Sequence, residues 1–286
     1  MMEPTLQRYT SSFRYGQKEV LFHFWAHTEN KDAPIDTVVF LGSGQRGRIT
    51  KWVATNTPCG TVVVEGLPHK IADRRARDLK DFARDYTSTA FSAVLKVLDV
   101  ASAHIVAESQ AAPGAVWMAL DNLAQVKNVV LIAPLGLTAH ILGATPKERL
   151  KELKKRAFLS SAQFTQSPLY DWHNFYLNSL MLHAVLFDAR WRASGQKYAV
   201  GASHDLRDDC RKLASQLHRK GSTFTLILGQ RDKMFPPAEV TAAIEMAKIK
   251  HLTSITLKAS HTSLAIRDGK EIIHKAITVA HQRSRT

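Results

Sequence analysis

Three residues of the 286-residue chain have the makings of nucleophilic acyl chemistry, and they come in the order Ser109, Asp232, His261. Ser109 lies in Ala107-Glu-Ser-Gln-Ala111, where the apolar run His104-Ile-Val-Ala107 meets a second apolar stretch with Pro113 near its start. That pattern reads as a strand, a sharp turn and a helix whose first turn tolerates proline. A nucleophile on such a turn takes up a strained backbone and needs small neighbours, which Ala107 and Ala111 supply. The helix that follows aims its free amides at a developing oxyanion. A serine hydroxyl attacks well only when a base takes its proton and an acid orients that base. Asp232 stands in Gly229-Gln-Arg-Asp-Lys-Met-Phe-Pro236, just past an apolar run, with Pro236 read as a stop. His261 stands in Lys258-Ala-Ser-His-Thr-Ser-Leu264, after a weaker run. Both leave the carboxyl ends of strands, the edge at which open α/β sheets bind ligands. Singly, an Asp after a strand is a common turn former and a His is commonly a surface or satisfied core group. The order of the three carries the signal.

A second motif, Gly42-Ser-Gly44-Gln-Arg-Gly47, also joins an apolar run to a helical one, and Glu65 closes the next run. Read literally it is a dinucleotide fingerprint, a glycine-rich turn at a helix N-terminus with a distal acid for the ribose. Against this, Gln45 and Arg46 are bulky where pyrophosphate must approach, and no second mononucleotide half follows. A turn that needs flexible backbone is the plainer alternative.

These residues need a frame. Residues 6–25 read as two alternating runs around Gly16, an antiparallel hairpin. Apolar runs rich in Val and Ile follow at 37–41, 61–65, 104–107, 129–133 and 224–228, with a weaker one at 254–257. Runs of this kind suit strands buried on both faces of a parallel sheet. Helical spacing fills 49–57 and 85–100, so the order predicts a three-layer α/β sandwich, mostly parallel, with an N-terminal antiparallel hairpin. About ninety residues separate the runs at 129–133 and 224–228, too many for one crossover. They predict an inserted helical cap: a helix from Pro146, capped by Thr145, to about residue 159, then an aromatic stretch at 170–192 with Trp172 and Phe175. A helix at 208–220, ended by Gly221, leads back to the sheet. The expected division is a core of residues 1–135 and 205–286 and a cap of 136–204.

With its chemistry placed this way, the chain resembles the α/β-hydrolase family over nearly its whole length. The resemblance implies an oxyanion loop at Leu41-Gly-Ser-Gly44, a nucleophile elbow at Ala107-Glu-Ser-Gln-Ala111, a cap, an acid at Asp232 and a base at His261. It gives the glycine-rich motif a third reading, with the backbone N–H groups of Ser43 and Gln110 as oxyanion donors. Gly42, Gly44, Met234, Phe235, Trp172 and Phe175 are the expected pocket residues, and alternation turns Glu108 away from Ser109 into a structural role. The chain departs from the family at Leu41, where a His is usual, at Ala107 and Ala111, where Gly is usual, and before His261, where Gly is absent. The implied activity is a serine hydrolase cleaving a carboxylic ester, thioester or lactone. The departures leave as alternative a non-hydrolytic member, an acyl transferase or a catalytically decayed protein that binds ligand.

Composition bounds the rest. With 45% hydrophobic and 22% charged residues the chain is an ordinary globular one. Two cysteines imply no disulfide framework and suit a reducing compartment, and residues 1–15 are polar. No apolar stretch approaches the roughly 20 residues of a membrane span, so a cytoplasmic location is expected. Lys and Arg exceed Asp and Glu by 39 − 25 = +14, read as a solvated basic surface. Nucleic acid is not the expected partner; a polyanion on the basic stretch 147–156 is the alternative. The spacing of His, Cys and carboxylates implies no metal, and no organic cofactor is expected.

Overall fold

The computed structural model describes residues 6–15, 17–27, 35–42, 47–58, 60–67, 76–145, 148–149, 151–153, 155–156, 204–259 and 267–282. Ser43, Gly44, Trp172, Phe175, His261 and the stretch 170–192 lie outside them.

The hairpin forms from β1 (Leu6–Tyr15) and β2 (Lys18–His27), paired antiparallel from Leu6↔His27 to Tyr15↔Lys18. The apolar runs become β3 (Thr37–Phe40), β4 (Thr61–Val64), β5 (Ala103–Glu108), β6 (Val126–Ile132), β7 (Phe224–Gly229) and β8 (Leu252–Leu257). They build one eight-stranded sheet in the order β1-β2-β4-β3-β5-β6-β7-β8. β2 meets β4 antiparallel, and every later pairing is parallel. Every residue of β3, β4, β5 and β7 is buried, so both faces of the sheet centre are covered.

The covering helices are α1 (Arg48–Thr55), α2 (Ala76–Val97), α3 (Ala112–Asp121), α4 (Ala139–Leu142), α5 (Arg207–Arg219), α6 (Pro237–Met246) and α7 (Arg267–Gln282). Arg84 joins α2 to α3 through Asp121 at 2.6 Å, and the Trp117 indole N–H joins α3 to α5 through Asp209 at 2.9 Å. His274 of α7 bonds the Asn56 carbonyl at the end of α1, at 2.8 Å.

Two helices differ from the sequence expectation. α2 starts at residue 76, not 85, and Phe82 and Ala83 within its charged first half are already buried. Pro236 does not stop the chain after Asp232. It stands at the N-cap of α6 with Pro237 in the first turn, where a missing N–H costs little. The helical residues at 148–149, 151–153 and 155–156 fall where a helix from Pro146 was expected. Among the described residues, no helix is long and apolar enough to cross a membrane.

Candidate active site

Ser109 follows directly on β5 and opens a short 3₁₀ turn that runs into α3. Its φ is +47°, the left-handed region that a side chain makes costly. The strain sits on this residue alone within the turn. Ala111 has φ −78° and Ala112 φ −56°, while Ala107 pairs regularly with Phe40 and Leu131. Alanine at both flanks therefore satisfies the backbone, and the family's glycines are not needed for the turn. The loop after β6 is stitched to the elbow, since the Leu135 N–H donates to the Ser109 carbonyl at 3.1 Å. Ser109 is half-buried, and Gln110 is buried with no hydrogen-bond partner for Oε1 among the described residues.

Two buried carboxylates hold Gly42 and Gly47, the described ends of the glycine-rich motif. Glu108, 1% exposed, accepts a hydrogen bond from the Gly42 N–H at 3.3 Å, tying the end of β3 to the elbow. Glu65, 2% exposed, accepts from the Gly47 N–H at 3.0 Å, at the start of α1. Gly47 has φ +61°, so its backbone suits glycine. Glu65 is thus buried with one oxygen on the Gly47 amide, which argues against an exposed ribose acid. The Tyr86 hydroxyl donates to the Glu65 carbonyl at 2.9 Å and fixes the chain after β4.

Asp232 leaves β7 with 4% exposure, and its Oδ1 accepts the N–H groups of Met234 at 2.8 Å and Phe235 at 2.9 Å. Met234 and Phe235 are themselves buried, so their backbone holds the carboxylate in one orientation. The end of β8 is fastened beside it. The Gln230 N–H donates to the Leu257 carbonyl and the Arg231 N–H to the Ala259 carbonyl, each at 2.8 Å. In register, Glu108 of β5 lies beside Ile132 of β6, and Gly229 of β7 beside Leu257 of β8. The ends of β5, β7 and β8 therefore share one sheet edge, with β5 and β7 about 10 Å apart at two strand spacings.

Arg156, a residue that spacing alone did not single out, braces the acid loop. Its guanidinium donates to both Glu239 carboxylate oxygens at 2.6 and 3.2 Å, to Glu152 at 3.1 Å and to the Met234 carbonyl at 3.3 Å. Arg149 likewise donates to the Gly143 carbonyl at 2.7 Å. Two cations of the basic stretch 147–156 thus serve the fold. Burial pushes the Cys210 thiol well up, and nearby Asp209 adds to the effect, so it offers no reactive thiolate.

No family model matches the chain, and no curated protein matches it in sequence. Solved structures do. An α/β-hydrolase enzyme from a Medee basin deep-sea metagenome library matches at 16% identity and TM-score 0.60, over 96% of this chain and 98% of that one. A thermophilic esterase from Thermogutta terrifontis matches at 13% identity and TM-score 0.62, over 98% and 100%. An enol-lactonase from Burkholderia xenovorans matches at 12% identity and TM-score 0.58, over 97% and 96%. With the strand order and the antiparallel hairpin, these matches establish that the chain has the α/β-hydrolase fold.

Proposed function

We propose that the protein is a serine hydrolase that cleaves a carboxylic ester, thioester or lactone of a small molecule through an acyl-enzyme on Ser109. The observation that carries this reading is the +47° φ of Ser109 at the junction of β5 and α3. A side chain held in that conformation costs about 1–3 kcal/mol and marks functional turns. Asp232, with its carboxylate pinned by two backbone donors, is the orienting acid. His261 is the base, and it stands two residues beyond Ala259, whose carbonyl is bonded beside Asp232. An esterase and an enol-lactonase among the structural relatives support the substrate class.

In the proposed reaction Ser109 Oγ attacks the carbonyl carbon as His261 takes its proton, and Asp232 stabilises the imidazolium. The N–H groups of Gln110 and Ser43 hold the oxyanion, each donor being worth about 10²- to 10³-fold in rate. Collapse breaks the carbonyl–oxygen or carbonyl–sulfur bond, and the leaving group departs with the proton from His261. Water then attacks the acyl-enzyme by the same route and releases the acid and Ser109. Residues 136–204 form the cap over this site. Trp172 and Phe175 from the cap, with Gly42, Gly44, Met234 and Phe235, line the acyl pocket.

The test is intact mass after treatment with a fluorophosphonate, for the parent and for Ser109→Ala, with turnover of a p-nitrophenyl ester series on the same samples. One adduct that the substitution abolishes, together with turnover, is the expected result. Labelling without turnover replaces hydrolysis by acyl transfer or ligand binding, and an unlabelled parent refutes the nucleophile.

A further inference from the structure

The opposite edge of the sheet holds a second constellation, formed by residues far apart in sequence. Asp36 directly precedes β3, His104 is the second residue of β5, and His281 lies in the last turn of α7. The parallel register Thr37↔His104 sets the first two level, and the His104 N–H donates to the Asp36 carbonyl at 2.6 Å. Asn128 of β6, 1% exposed, holds the third in place. Its Nδ2 donates to the Ala280 carbonyl at 2.8 Å while its Oδ1 accepts from the Thr223 N–H at 2.7 Å.

One ligand atom from each of Asp36, His104 and His281 lies within 4.8 Å of the other two. His281 Nε2 is 3.2 Å from Asp36 Oδ1. Around a tetrahedral ion with bonds of about 2.0–2.2 Å, ligand atoms sit about 3.3–3.5 Å apart. The Asp36 and His281 atoms are at about that spacing, and one ligand atom of His104 lies within 4.8 Å of the other two groups. His104 is 2% exposed, and its Nδ1 has no hydrogen-bond partner among the described residues. A buried polar atom left in that state is costly, and a bound ion relieves the cost. Thr37 Oγ1 donates to Asp36 Oδ1 at 2.9 Å, an outer contact of the kind that orients a ligand, and its 3.0 Å contact with His281 Nε2 is one that the ion would replace. His281 and Asp36 keep 41% and 27% side-chain exposure, which leaves a path for the ion and room for a water.

We propose that Asp36, His104 and His281 bind one divalent transition-metal ion of the Zn²⁺ class, with water as the fourth ligand. Two imidazoles and a carboxylate match the donors that Zn²⁺ takes. The ion fastens α7 to the starts of β3 and β5. It lies about 17 Å along β5 from Ser109, at roughly 3.3 Å per strand residue, so it acts on stability and not on the elbow chemistry.

The test uses the full chain without a histidine tag, stripped with EDTA and titrated with ZnCl₂. Calorimetry gives the stoichiometry, and thermal unfolding is followed in parallel. One Zn²⁺ per chain is expected, with Tm raised by about 4 °C or more at a hundredfold excess over Kd. Asp36→Asn and His281→Ala sit at half-exposed positions and leave the core filled. Each should weaken Zn²⁺ at least tenfold while fluorophosphonate labelling of Ser109 stays as in the parent. Zn²⁺ that does not bind stoichiometrically, or that binds either variant as tightly as the parent, overturns the site.

Discussion

Replacing Ser109 by glycine and by alanine separates the two roles of the elbow, because both lose the hydroxyl and differ only by a Cβ. At φ +47° that Cβ crowds the following carbonyl, a cost of about 1–2 kcal/mol. Glycine removes the clash but loses about 0.4–1 kcal/mol more chain entropy on folding. The net expectation is that Ser109→Gly is more stable than Ser109→Ala by about 0.5–1 kcal/mol, or roughly 1–3 °C in Tm for a chain of this size. Ala111→Gly is the control. That residue has an ordinary φ of −78°, so glycine there should destabilise, by about 0.5–1 kcal/mol. Urea midpoints and Tm of the three variants measure the signs, and ester turnover should fall on the order of 10⁴-fold or more in both Ser109 variants. The reasoning fails if Ser109→Gly is no more stable than Ser109→Ala, or if the control moves in the same direction. In that case the turn would hold no strain for a nucleophile to use.

Asp232→Asn keeps an oxygen to accept the Met234 and Phe235 N–H groups but loses the anion. Stability should change little while kcat drops on the order of 10⁴-fold, checked by steady-state kinetics beside thermal unfolding. Arg156→Leu leaves Glu239 and Glu152 without their shared cation and frees the Met234 carbonyl beside the acid. With side-chain exposures of 12% for Arg156 and 29% and 31% for Glu239 and Glu152, the expected loss is about 1–3 kcal/mol, read from the urea midpoint. Gly114→Ala would set a Cβ onto Thr87 Oγ1 and 3.0 Å from the Ala83 carbonyl, where α3 crosses α2. Overpacking of about 1–3 kcal/mol should outweigh the helix preference for alanine, and adding Thr87→Ala should recover about half of the loss.

The parts of this molecule that were legible in the sequence are those set by neighbours along the chain. Buried parallel strands need unbroken apolar runs, so β3 to β7 could be placed within a few residues, and with them the strand ends that present Ser109 and Asp232. What spacing could not give depends on register. Glu108 meets Gly42 across 66 residues and Glu65 meets Gly47 across 18, and neither acid announces that its carboxylate is spent on a loop amide. Arg156 reads as one cation in a basic stretch until α6 brings Glu239 against it. The concern raised by Ala107 and Ala111 also needed dihedral angles, because only φ distinguishes a glycine required for conformation from one required for space. β5 joins the two kinds of information. It runs from a buried imidazole, its second residue, at one sheet edge to the strained serine that directly follows its last residue at the other, and the pairing of Thr37 with His104 and of Phe40 with Ala107 sets both at once. A slip of one residue would turn His104 to the opposite face and move Ser109 off the turn, so one register holds the metal site and the elbow alike.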